Sequence, residues 1–205
     1  MGLLGEGINE VIATTWQNAA PMGIILRDGT HRMVLFRGSH TAMNVERWGW
    51  VVANLVHDPV LWVRTAFDDL PASDFVEEEV EGFLVHRLPG AEAWIAFDAM
   101  VERHARESMT VLLHPVKEAV VSPVIHPVNR GYNSIIEAAV HGTRWLWNRD
   151  PGMKELIDHH RSIVRRCGGP GELEALGMLE RYLGIPNPHG TGPQEPGDRR
   201  EPEPG

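Results

Sequence analysis

The hydrophobic pattern divides the chain in two. Up to about residue 123 the apolar positions recur mostly with the period of strands, and from residue 129 they recur at helical spacing. Ile8–Thr14 alternates and predicts a first strand. An apolar run from Asn18 then ends in Arg27-Asp28-Gly29-Thr30, a turn signal, and a second apolar run follows to Phe36, which predicts a hairpin. Thr41–Trp48 reads as a short helix, with Ser39 or Thr41 as N-cap and Gly49 as its end. Trp50–Val56 is rich in β-branched residues and reads as a strand. Asp58-Pro59 places a cap and a first-turn proline at the start of a helix running to about Phe67. Asp68–Gly82 carries a run of carboxylates and no base, and is expected to be a solvated loop. Phe83–Leu88 is the next strand, with Pro89-Gly90 as its turn. Ala93–Arg106 fits either period. The strand reading is preferred, because Glu107-Ser108 then turns the chain into Thr110–His114. Glu118–Val121 completes the sheet, and several short strands at this spacing predict a barrel.

Past Asn129, Ser134 and Glu137 form a capping-box pattern, followed by Ile135, Ile136, Ala139, Val140, Thr143 and Trp147 at helical spacing. Asp150-Pro151 starts a second helix that ends at Gly168-Gly169, and Glu172–Leu183 is a third. After Pro186 the chain is glycine, proline and charge, so residues 187–205 are expected to be a disordered tail. The expected fold is therefore α+β: a barrel over residues 7–123, then a small three-helix domain over 129–186.

Composition narrows the function classes. An apolar fraction of 42% is that of a globular chain, and a net charge of −9 argues against a nucleic-acid partner. The one cysteine, Cys167, excludes an intramolecular disulfide and suits a reducing cytoplasm. No window approaches ~18 apolar residues, and Met1–Gly7 lacks the features of a signal peptide, so no membrane association is expected. Eleven histidines invite a metal reading. Yet His159 and His160 are adjacent and point about 100° apart on a helix, while His114 and His126 each precede a proline. No His-Glu-x-x-His pattern is present, so no metal site is expected. Ser39 lacks the glycine-flanked elbow of a hydrolase nucleophile, and no Gly-x-Gly-x-x-Gly marks a dinucleotide fold.

The distinctive chemistry lies between Asn18 and Thr41. In an extended strand Ala20, Met22, Ile24 and Leu26 share one face, and Ala19, Pro21, Gly23 and Ile25 the other. The second face is nearly bare from Ala19 to Gly23, so a flat ring or another backbone can approach it. Pro21 also interrupts the ladder. Arg37-Gly38-Ser39-His40-Thr41 sits at a strand-to-helix junction, where free N–H groups, hydroxyls and an arginine can hold a phosphate. A flat-ring site beside a phosphate site suggests a phosphorylated planar cofactor. A Gly/Pro bulge at a barrel corner plus an ordinary helix N-cap explains the same residues, and the residue types alone favour that plainer reading.

An ordered series of short motifs decides between them: Asn9-Glu10, Asn18-Ala19-Ala20-Pro21-Met22-Gly23-Ile24, Phe36-Arg37-Gly38-Ser39-His40-Thr41, Asn54-Leu55, Asp58-Pro59, Asn129-Arg130 and Ile136-Glu137-Ala138. With these the chain resembles the FMN-binding split-barrel superfamily, and within it an uncharacterised, largely archaeal, flavin-reductase-like family. The resemblance implies FMN as cofactor and a homodimer with the flavin at the interface. It implies Arg37, Gly38, Ser39 and Thr41 at the phosphate, and Ala20, Pro21, Met22, Gly23 and Ile24 against the isoalloxazine. It also implies Asn18 and Asn54 as further polar contacts to the flavin. Arg130 belongs either to the flavin or to the start of the first C-terminal helix. The implied activity is flavin-dependent oxidoreduction, with a nicotinamide or other small molecule as electron donor. A flavin carrier, store or redox sensor without turnover is the alternative. No residue stands out as an acid or base.

Overall fold

A computed structural model describes residues 2–186. Strands β1 (Gly7–Thr15), β2 (Asn18–Arg27), β3 (Thr30–Phe36), β4 (Trp50–Leu55), β7 (Ala93–His104) and β8 (Ser108–Val120) close a barrel in the order β1-β2-β3-β8-β7-β4. Every neighbouring pair is antiparallel. The interior is filled by alternate residues of each strand, among them Val11, Ala13, Ile24, Met33, Leu35, Val51, Phe97 and Val111, with Ala42 and Val45 of helix α1 (His40–Trp48) as one lid. The expected α+β split barrel with three C-terminal helices is what the chain forms.

The barrel carries one local gap. β2 pairs with β1 along its length from Asn18 to Leu26, but with β3 only from Ile24 to Arg27. Between Asn18 and Gly23 the backbone groups that would face β3 have no strand partner. Pro21 lies inside this stretch, where its missing N–H interrupts no second ladder.

The carboxylate-rich segment expected as a loop contains a strand, β5 (Val76–Val80), paired with β6 (Phe83–Arg87). Its alternation is masked because most of its positions are glutamate. Val80 is buried against Val85, Trp50 and Trp94. Glu78 bonds Arg87 at 3.2 Å and Lys117 at 3.0 Å, and these cations hold its pKa below the ordinary carboxylate range. β8 is also longer than expected, because a register shift lets the strand carry Pro115 and continue to Val120.

Helix α2 (Pro59–Phe67) starts where Asp58 Oδ1 accepts from the N–H groups of Val60 and Leu61. Helix α3 (Arg130–Asn148) starts a turn earlier than the capping-box pattern implied. Asn129 is its cap, accepting from Gly131 at 2.8 Å, and Ser134 is buried inside the helix. Gly131 is required there, since a Cβ would lie 2.5 Å from the Gly168 Cα. Helices α4 (Pro151–Cys167) and α5 (Pro170–Leu183) complete a bundle. Its core, including Ile135, Ile157, Val164, Leu176 and Leu179, takes in Val63 of α2. Burial of these side chains docks the bundle onto the barrel, at about 25 cal/mol per Å² of apolar surface. No helix among the described residues is long and apolar enough to cross a membrane. The expected tail, 187–205, lies outside the described residues.

Asn54, expected near a ligand, lies inside the fold. It is fully buried, and its amide donates to Ile12 O, Thr14 Oγ1 and Val52 O while its Oδ1 accepts from Leu88 N at 2.8 Å. The side chain ties β4 to β1 and to the segment after β6, leaving it nothing to offer a ligand. Asn54→Ala should destabilise the chain by about 3 kcal/mol in urea unfolding, because buried polar partners are left unpaired. A loss within error would show that water replaces the amide.

Candidate functional site

The gap beside β2 opens onto two adjoining clefts that share part of their lining. The larger, about 470 Å³, has the outer faces of β1, β2 and β3 on one side (Glu10, Pro21, Gly23, Val34, Phe36). Trp62, Thr65 and Ala66 of α2 and Ile136, Ala139, Val140, Thr143 and Arg144 of α3 form the other. The smaller, about 290 Å³, lies at the start of α1 and is lined by Asn18, Ser39, His40, Thr41, Asp68 and Asp69 among others. Ala20, Met22, Ser39, Thr65 and Ala66 line both. The lining is thus small or apolar along the strand and polar at the helix start.

The hairpin and α1 place each group. Gly23 stands opposite Glu10 on β1, and a Cβ at Gly23 would come 2.9 Å from the Ile8 side chain. Ser39 caps α1: its hydroxyl donates to Phe36 O at 2.8 Å and accepts from Ala42 N at 3.2 Å. That hydroxyl is therefore committed to the fold. Asn18 donates from Nδ2 to Thr41 Oγ1 at 3.0 Å, and both residues are buried. Thr41 accepts that bond, so its own hydroxyl proton is free for an acceptor in the cleft. The N–H groups of His40 and Thr41, the first of the helix, have no acceptor among the described residues. They make a place for an anion, which the dipole of a nine-residue helix favours. Asp68 and Asp69 at the far rim oppose an anion, and His40, 3.7 Å from Asp69, stands between.

The structure brings together Asn18, Ala20, Pro21, Met22, Gly23, Ser39 and Thr41. It does not bring the other expected residues to them. Ile24 is fully buried with its side chain in the barrel core. Asn54 is internal. Arg37 and Gly38 line a separate recess with Ala42, Glu46, Arg106 and Met109, where the Arg37 guanidinium donates to Ala105 O at 3.5 Å. Gly38 has φ +86°, so the backbone turns there and sends residues 37 and 39 to different sides. Arg130 is the exposed first residue of α3 and lines neither cleft.

Sequence reading missed Glu10 and Arg144 as site residues. Glu10 lines the cleft from an exposed position on β1, and partial desolvation there, with the Glu137 carboxylate near it, raises its pKa above the ordinary 4.5. The signal was there: Glu10 shares the outer face of β1 with Ile12, and a carboxylate on the face packed by helices is out of place. Arg144 was hidden because only its position on α3, one turn beyond Val140, turns it to the cleft. The weighing of histidine pairs from sequence also left out one that the fold makes on α3 and α4. It took His159 with His160, but the fold sets His160 beside His141 and Glu137.

With this geometry in place, the comparisons with known proteins become informative. Residues 9–122 match the family model described as Protein of unknown function (DUF447) N-terminal domain. Residues 129–181 match the model described as Protein of unknown function (DUF447). The chain belongs to the DUF447 family. The DUF447 chain is 34% identical to a solved FMN-bound protein, MM1853 from Methanosarcina mazei, which it matches with a TM-score of 0.83 over 87% of this chain and 96% of that one. It is 25% identical over 194 residues to the uncharacterized protein MJ1453 of Methanocaldococcus jannaschii, covering 87% of this chain and 99% of the relative. A 2-nitrobenzoate 2-nitroreductase from Pseudomonas fluorescens is 16% identical with a TM-score of 0.45, over 58% of this chain and 68% of that one, too distant to bear on function. The family expected from the motif series is thus the family found.

A carboxyl whose folded pKa is raised holds its proton more tightly folded than unfolded. Its stabilising contribution is fully present below the ordinary pKa of 4.5 and is lost as pH rises through the folded value. Glu10→Gln should therefore melt higher than wild type at neutral pH, and the two curves should converge as pH falls towards that value. Parallel curves at all pH values would show that Glu10 ionises as if in water.

Proposed function

We propose that this chain binds FMN and works as a flavin-dependent oxidoreductase. The observation that carries the reading is the continuity of the two clefts: a bare strand face for a flat ring runs into an unpaired helix N-terminus for a phosphate. Support comes from the FMN-bound relative at 34% identity. The residues fit the cofactor on their own terms. The volume lies in the range of small-molecule sites. Pro21 and Gly23 offer no bulk above the strand, and the unpaired backbone of β2 offers hydrogen bonds to a ring edge.

Bound there, FMN would supply hydride or electron transfer, which no side chain of this chain supplies. The chain's own part is to bind, orient and exclude water. Trp62, Val34 and Phe36 wall the ring space with apolar surface. Thr41 would offer its hydroxyl proton, and His40 and Thr41 their N–H groups, to the phosphate. Glu10 stands at the rim of the strand face, where its carboxyl group could give a proton to, or take one from, a reacting atom.

Thr41→Val should weaken FMN about ten- to a hundredfold, because a bond to a charged group is worth roughly 1.5–3 kcal/mol and 1.4 kcal/mol is a decade. Riboflavin, which lacks the phosphate, should lose far less. Arg37→Ala should move neither ligand. Fluorescence quenching measures all of them. Equal losses for the two ligands in Thr41→Val would remove the phosphate from the start of α1, and an FMN-selective loss in Arg37→Ala would place it in the recess instead.

The same reading includes a homodimer with the flavin at its interface. Val34 and Phe36 line the cleft yet are 52% and 76% exposed, an apolar wall that a second copy would cover. Phe36→Asp should convert a dimer to a monomer by light scattering and lower FMN affinity with it. A monomeric wild type at flavin saturation contradicts this part alone. Faster anaerobic bleaching of the bound flavin by a reduced nicotinamide than of free FMN is expected. Rates no faster would favour a carrier or sensor.

A further inference from the structure

Behind the cleft wall, α3 and α4 lie side by side as a helical hairpin. Glu137 and His141 are one turn apart on the same face of α3, their side chains 3.9 Å apart. His160 faces them from α4, its ring stacked on His141 with centroids 5.6 Å apart. Donor atoms of all three residues lie within 4.8 Å of one another. The Nδ1 atoms of both histidines are buried with no hydrogen-bond partner among the described residues. Buried imidazole nitrogens are normally satisfied, so two orphans side by side need a cause. Ordinary packing does not provide one, because the stack puts two polar rings together where apolar side chains would fill the space.

We propose that Glu137, His141 and His160 bind a divalent transition-metal cation. Two imidazoles and a carboxylate are a donor set suited to zinc, iron, nickel or copper rather than to magnesium or calcium, which take oxygen ligands. Around one ion the donors would stand roughly 3.3 Å apart in tetrahedral geometry. Small side-chain rotations bring three groups within 4.8 Å to that spacing. Three protein ligands leave a position for water. The site joins α3 to α4, and its α3 residues alternate with Ile136, Val140 and Arg144, which line the cleft. The bound ion therefore fixes the helix that forms one wall of the cleft. His159 is excluded as a ligand, since it is exposed and leaves α4 in another direction from His160.

The test is calorimetric titration of Zn²⁺ into the full-length protein after chelator treatment and dialysis. Saturable binding of one ion per chain is expected, together with a higher melting temperature. His160→Ala and His141→Ala should each weaken binding at least about a hundredfold, since even partners outside the ligand set are worth 10–100-fold. His159→Ala should leave binding unchanged. Glu137→Gln, at an exposed position, should weaken binding without disturbing the fold, so the proposal stays testable if a histidine variant does not fold. Absence of one-to-one binding overturns the site. So does equal weakening by His159→Ala, or a Glu137→Gln variant that binds as wild type does.

Discussion

Between Asn18 and Gly23, β2 has one strand neighbour instead of two, and the cleft follows from that. Closing a barrel normally leaves no free edge. Here Pro21 removes a donor, and the start of α1 occupies the space where β3 would pair. The buried bond from Asn18 to Thr41 fastens the helix in that position. The result is a strand face without side-chain bulk beside a helix start with unpaired N–H groups. Neither feature alone would define a site. Their contact through Ala20, Met22 and Ser39 makes them one space.

The helices beyond the barrel complete this space rather than forming a separate appendage. Val63 of α2 is part of the core that holds α3, α4 and α5 together, while Trp62 on the same helix packs against Ile12 and Leu88 on the barrel side. α2 thus transmits the position of the bundle to the strand face. Glu10 lines the cleft where the two layers meet, which is why partial desolvation and Glu137 act on its proton.

Local signals in the sequence were reliable where one residue type enforces one geometry. Asp58-Pro59 could only begin a helix, Arg27-Asp28-Gly29-Thr30 could only turn, and the bare Ala19-to-Gly23 face follows from alternation. Reading failed where the outcome depends on partners distant in sequence. Val76–Val80 forms a strand because Arg87 and Lys117 neutralise Glu78, and no local pattern shows that. Arg37 is adjacent to Ser39 in sequence, but the turn at Gly38 sets it in a different recess, a separation no local pattern shows. Asn54 was a flavin contact only by family resemblance, and in the fold its amide is paired with Ile12, Thr14, Val52 and Leu88. His160 could be paired with His141 only after the α3–α4 hairpin was known.

Amide hydrogen exchange with and without FMN tests the continuous cleft most directly. Ala19, Ala20, Met22 and Gly23 on β2, together with His40 and Thr41, should be protected as one set when FMN is added, because ring and phosphate occupy adjoining parts of one space. Protection centred instead on Arg37, Gly38 and Arg106, or confined to one of the two segments, would contradict a single site built on the gap in β2.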